Sequence, residues 1–133
     1  MGGRTSRGDT RPVPPTVLVV DDDDAFRRVV VRLLRLRGLE VVADVGDGEA
    51  ALAAARRHRP DGVLLDVNLP DHSGICVART VTAGTGGPAV VLTSTDPTGF
   101  TAVALAECGA RAFVPKDRLT QVDLRSLLSA AGT

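Results

Sequence analysis

Five short apolar runs punctuate this chain, and apolar residues at helical spacing fill the gaps between them. Thr16–Val20, Leu39–Val45, Asp61–Asp66, Ala89–Thr93 and Arg111–Val114 have strand length and lie between turn signals. Val17–Val20, Val63–Leu65 and Ala89–Leu92 are continuous rather than alternating, as in strands covered on both faces of a parallel sheet. Glu40 and Asp44 make the second run more polar, which predicts an edge position. After the first run, Phe26, Val29, Val30, Leu33 and Leu34 alternate with Arg27, Arg28, Arg32 and Arg35 at helical period, and Gly38 supplies the stop. Asp24 is the expected N-cap, its charge suited to the helix dipole.

Asp47-Gly48-Glu49 opens a second helix that runs to His58 and is closed by Arg59-Pro60. A short helix is expected over Ile75–Thr82, then a flexible turn at Ala83–Gly87. Asp96-Pro97 reads as the cap and first turn of a fourth helix reaching Cys108, with Gly109 ending it. Leu119–Ala130 is the last predicted helix. Strand–helix alternation of this kind predicts an α/β fold, a doubly wound (βα)5 unit with a five-stranded parallel sheet. Right-handed crossovers can cover both faces only if the winding reverses once. Starting in the middle gives the flavodoxin-like order 2-1-3-4-5. Pro115, which lacks an N–H, fits an edge strand at the far side.

Composition narrows the classes. The 133 residues suit one domain. Met1–Pro15 is rich in Gly, Arg and Pro without apolar period and reads as a disordered tail, its Arg4, Arg7 and Arg11 solvated. Residues 16–133 form the folded unit. Formal charge is balanced, which argues against general binding to nucleic-acid phosphates. No apolar stretch approaches ~20 residues, so no membrane span is expected, and no apolar segment follows the N-terminal arginines to make a secretory signal. Cys76 and Cys108 sit in Ala-rich helical patterns without metal-ligand spacing, and read as small buried thiols in a reducing, cytoplasmic setting. Every basic residue except Lys116 is arginine or histidine, which makes that lysine conspicuous.

Chemistry concentrates where the strands end. All strands of a parallel sheet finish on one side, so Asp21 and Asp22, Asp66, Thr93 and Ser94, and Lys116 should converge. Strands 1 and 3, as neighbours ~5 Å apart, would crowd three carboxylates that repel and raise one another's pKa. A divalent cation relieves this, and oxygen ligands without Cys or His favour Mg²⁺, with Mn²⁺ as a substitute. Lys116 and Thr93 complete a site for an anion, a phosphoryl group being the natural one.

The acidic pair Asp21-Asp22 after an apolar strand, Leu64-Leu65-Asp66-Val67-Asn68-Leu69-Pro70 in mid-chain, Thr93 ending a strand and the late Lys116 together resemble the receiver domain of bacterial two-component response regulators, over Thr16 to about Ala131. The resemblance implies Asp66 as phospho-acceptor, with Mg²⁺ held by Asp22, by Asp21 through water, by Asp66 and by the Asn68 backbone carbonyl. It implies Lys116 as phosphoryl partner, Thr93 as switch hydroxyl and Phe113 as the aromatic that moves with it, with Ser94 and Thr95 beside them. Asn68 and Thr95 occupy positions that tune acyl-phosphate hydrolysis. A histidine kinase or phosphotransfer protein is the implied partner, and helix 4, strand 5 and helix 5 the surface that changes or pairs in a dimer. No enzyme activity on outside substrates is implied.

This chain departs from the family pattern at Asp117, where many members have a cis proline. A non-proline cis bond costs ~2.5–4 kcal/mol, so a trans bond is expected. Asp23 and Asp24 have no family role and read as cap and first-turn charge. Two rival readings remain: an unphosphorylated receiver used only for docking, and a haloacid-dehalogenase-type phosphatase based on Asp21, Asp23, Thr93 and Lys116. The second lacks an acidic pair after the lysine, where only Asp117 and Asp123 follow. A nucleotide- or flavin-binding module of the same sheet order would want Gly or hydroxyls, not aspartates, in the first turn. With no helix-turn-helix or linker after the last helix, this chain carries no DNA-binding domain and reads as a stand-alone receiver or a piece of a longer regulator.

Overall fold

In the computed structural model, which describes residues 13–84, 86–95 and 102–129, one five-stranded parallel sheet gathers Asp21, Asp66, Thr93 and Lys116 at its carboxyl edge. The strands are β1 (Thr16–Val20), β2 (Glu40–Val45), β3 (Gly62–Asp66), β4 (Ala89–Ser94) and β5 (Ala112–Pro115). Their order is β2-β1-β3-β4-β5, as the crossover argument requires. Polar β2 and proline-ended β5 are the edges. The helices are α1 (Asp24–Leu36), α2 (Gly48–His58), α3 (Gly74–Val81), α4 (Ala102–Glu107) and α5 (Leu124–Leu127). The expected tail falls mainly on residues 1–12, and the Asp96-Pro97 cap on 96–101, both outside the described residues.

Strand alternation divides the core. Val17, Val19, Leu64, Val91 and Val114 pack with Val30, Val31 and Leu34 of α1 and with Leu124 and Leu128. Leu18, Val20, Leu65, Val90 and Leu92 face α2, α3 and Cys108 on the other side. With β3 and β4 wholly buried, the continuous apolar runs are explained by two-sided cover.

Three local expectations are corrected. On α1 the buried stripe is Val30, Val31 and Leu34, and Val29 stands 66% exposed. Arg27 falls on the same stripe (i, i+3, i+4, i+7) and can lie inward because its guanidinium finds polar partners there. Its N-cap is Asp23, not Asp24: the Asp23 carboxylate accepts from the N–H groups of Ala25 and Phe26, 3.0 and 3.1 Å. The last helix is not continuous over Leu119–Ala130. Lys116–Gln121 forms a 3₁₀ helix, and α5 begins anew after Asp123, whose side chain accepts from Ser126 N–H. Burial of both Leu119 and Leu124 requires the break between them.

Cys108 is buried as expected, but Cys76 is exposed on the outer face of α3. The described residues contain no cis peptide, so Asp117 follows Lys116 in trans. None of their helices is long and apolar enough to cross a membrane.

Candidate functional site

β3 ends on Asp66, 5% exposed, beside Thr93 of β4, its direct register partner. β1 delivers Asp21, 1% exposed, and Asp22, which faces solvent. β5 ends at Pro115, and Lys116 turns back across the sheet edge. Its Nζ lies 2.7 Å from Asp21 Oδ2 and 3.2 Å from Asp66 Oδ2. The other carboxylate oxygens are held by backbone: Asp23 N–H donates to Asp21 Oδ1 and Asn68 N–H to Asp66 Oδ1, both 2.9 Å.

Burial pushes the Asp66 pKa up and the Asp21 charge adds to this, overriding the Asn68 N–H and Lys116. For Lys116, burial pulls downward, but the hydrogen bond to Asp21 and the charges of Asp66 and Asp21 prevail and raise its pKa. The ammonium therefore stays charged and compensates two buried carboxylates.

Oxygens of Asp21, Asp22 and Asp66 all lie within 4.8 Å of one another. An all-oxygen set of that span, with one solvent-facing member, fits Mg²⁺, a cation that keeps several waters. Thr93 Oγ1 is buried without a hydrogen-bond partner, a donor held ready beside the Asp66 carboxylate. Ser94 is buried too, and Asn68 Nδ2 donates to its hydroxyl at 3.4 Å. Thr95 is exposed at the end of β4. Phe113 is half-buried, pairs with Leu92 and lines a cavity of about 320 Å³ with Leu105, Ala106 and Ala110. Asp21, Asp22, Asp66, Thr93 and Lys116 thus come together, with Asn68 and Ser94 beside them, whereas Phe113 lies one register step away from Thr93 and Thr95 is exposed beyond the strand end.

Four contributors escaped the sequence reading. Arg27 donates from Nη1 to the Asp21 carbonyl at 2.7 Å and pairs with Asp24 and Asp44, tying β1, α1 and β2 together. Phe26 places its ring 4.3 Å from Lys116 Nζ. Gly74 opens α3 directly over the Asp66 carbonyl and Val67, where any Cβ would collide with backbone. Asp71, in the loop leaving β3, accepts from Gly48 N–H (2.7 Å) and Glu49 N–H (3.0 Å) and so docks that loop on the start of α2. Beside it His72 Nε2 meets Glu49 Oε2 at 3.0 Å. An open cavity of about 490 Å³ bounded by Asp22, Asn68, Pro70 and His72 flanks the carboxylates. Another of similar size, lined by Leu52, Arg56, Arg59 and Pro88, lies at the amino ends of the strands and contains none of these groups.

The family model of the response regulator receiver domain matches residues 17–129. The chain belongs to that family. This receiver is 46% identical over 91 residues to the protein named Probable transcriptional regulatory protein TcrX of Mycobacterium tuberculosis, covering 68% of this chain and 38% of that one. It is 40% identical over 114 residues to the DNA-binding response regulator MtrA of Mycolicibacterium smegmatis, 82% of this chain and 49% of that one. The receiver thus spans half or less of the length of these curated relatives. The signal receiver domain of NarL from Mycobacterium tuberculosis superposes with a TM-score of 0.74 at 36% identity, over 80% of this chain and 86% of that one.

Proposed function

We propose that this receiver accepts a phosphoryl group on Asp66 from a phosphohistidine of a histidine kinase or phosphotransfer protein. The observation that carries the reading is the buried Asp66 carboxylate set between Lys116, the Asn68 N–H and the unpartnered Thr93 hydroxyl. An Asp66 oxygen attacks phosphorus in line, the P–N bond breaks, and the departing imidazole keeps the electron pair and takes a proton. Asp21, Asp22, Asp66 and the Asn68 carbonyl would hold Mg²⁺, which when bound neutralises charge on the transferring group. Lys116 follows the new phosphoryl oxygens and Thr93 Oγ1 donates to another.

Each charge-assisted hydrogen bond is worth ~1.5–3 kcal/mol. Two of them approach the ~5.5 kcal/mol that inverts a 1:99 equilibrium. Thr93 moving toward the phosphoryl draws on β4 and its partner β5. The cavity beside Phe113 gives that ring room to follow, altering the surface of α4, β5 and α5, which is also the candidate dimer face. Asn68 and Thr95, both exposed, are the positions that tune how fast the acyl phosphate hydrolyses. The setting is the bacterial cytoplasm, and the domain signals rather than turning over an outside substrate. A docking-only role is disfavoured by the complete set of converging polar groups.

Incubation with acetyl phosphate and Mg²⁺ should add one phosphoryl mass, acid-stable and base-labile. Equal labelling of Asp66→Ala would overturn the assignment.

A further inference from the structure

Phe26 is the one aromatic ring near the buried charges among the described residues, and neither the fold nor the carboxylate set demands an aromatic there. It is the third residue of α1, and its own N–H donates to the Asp23 cap, so the cap fixes where the ring begins. From that place the half-buried ring packs on the apolar cluster of α1, Leu119 and Val114 and lies 4.3 Å from Lys116 Nζ. An ammonium has three N–H bonds and no acceptor. Two carboxylates meet it, Asp21 and Asp66, and the ring face lies within cation–π range of the same nitrogen. Lys116 otherwise has four rotatable carbons and a short path to solvent from the end of an edge strand. A leucine at residue 26 would fill much of the same space without the negative ring face.

We propose that Phe26 is a positioning residue for Lys116: its ring holds the ammonium against the Asp66 carboxylate and so sets how readily that lysine meets a phosphoryl group. The functional half rests on the assignment of Asp66 as phospho-acceptor, whereas the contact itself does not.

Lys116 is the sole lysine of the chain, so lysine labelled with ¹³C and ¹⁵N gives a single ε-methylene signal. In the wild type that signal should lie upfield of its urea-unfolded position, shielded by the ring. Phe26→Leu should abolish the upfield displacement and Phe26→Tyr should keep it. With saturating acetyl phosphate and Mg²⁺, Phe26→Leu should label about fivefold more slowly, ~1 kcal/mol at 1.36 kcal/mol per tenfold, the size of a partly exposed cation–π contact. Phe26→Tyr should label at the wild-type rate. An unshifted lysine signal in the folded wild type overturns the proposal without recourse to any variant. So does equal labelling by wild type and Phe26→Leu. Failure of the wild type to label at all would instead sink the phospho-acceptor reading, and the lysine signal would still report on the contact.

Discussion

Thr93→Val replaces a hydroxyl by a methyl of nearly the same shape, at the residue paired with Asp66 across β3 and β4. Thr93 is 1% exposed and its Oγ1 has no hydrogen-bond partner. Leaving a buried hydroxyl unsatisfied costs about 1–3 kcal/mol. The unphosphorylated valine variant should therefore be more stable than the wild type by up to that amount, an unusual direction for a substitution at a proposed switch position. On the proposed reading phosphorylation gives the hydroxyl a charged acceptor, and losing that bond costs ~1.5–3 kcal/mol. The gap between the two states then narrows by roughly 2.5–6 kcal/mol, a range that reaches the ~5.5 kcal/mol of a full switch. Thr93→Val should accept the phosphoryl group yet remain in the resting conformation.

With no Trp or Tyr in the chain, urea unfolding followed by far-UV circular dichroism is the direct measurement. It should be run with and without Mg²⁺ and excess acetyl phosphate, with mass spectrometry reporting occupancy. A valine variant less stable than the wild type without phosphorylation would show that Thr93 Oγ1 is satisfied, and the reasoning would fail. An equal gain in stability on phosphorylation in both proteins would remove the hydroxyl from the switch.

Gly74→Ala forces a Cβ onto the Asp66 carbonyl and Val67, and should cost ~1–3 kcal/mol; a urea midpoint equal to the wild type would contradict the packing. Arg27→Ala removes the charge-assisted bond to the Asp21 carbonyl, worth ~1.5–3 kcal/mol, while its more exposed partners Asp24 and Asp44 add little. Calorimetric titration should show weaker Mg²⁺ binding in that variant, and unchanged affinity would confine Arg27 to a structural role. The hydrogen bond to Glu49 outweighs desolvation and raises the His72 pKa, with Asp71 adding to the effect. A raised folded-state pKa gives stability that is complete below the unfolded value of 6.5 and is lost as pH rises through the folded one. The wild-type advantage over His72→Ala in thermal unfolding should accordingly be larger at pH 6 than at pH 8, and a pH-independent difference would refute the pairing.

Much of the fold was legible because its signals are local. Continuous apolar runs, helical periodicity and turn residues fall within a few positions of one another, and topology then follows from handedness. The convergence of Asp21, Asp22, Asp66, Thr93 and Lys116 needed only that parallel strands end on one side. α1 marks where local reading stops. The stripes Phe26–Val29–Val30–Leu33 and Arg27–Val30–Val31–Leu34 overlap, and periodicity alone does not choose between them. Packing against β1 and β2 chooses the second, because Arg27 can satisfy its charge inside while Val29 loses little outside. One residue of rotation also makes Asp23 the cap and leaves Asp24 as the partner of Arg27.

Contacts between distant segments leave no spacing to read. Asp71 on the start of α2 and Phe26 beside Lys116 each join a side chain to an element far along the chain, and the bare backbone of Gly74 lies over the Asp66 carbonyl. The last helix followed the same rule: Leu119 and Leu124 are both buried only if the chain breaks at Val122–Asp123. The sequence by itself determined the order of elements and which charged groups gather at the sheet edge, since these depend on hydrophobic period and strand direction. Only the tertiary structure decided how those groups are held against one another, because the Asp23 and Asn68 N–H bonds are local whereas Lys116 reaches Asp21 and Asp66 from the end of a strand that meets them only after folding.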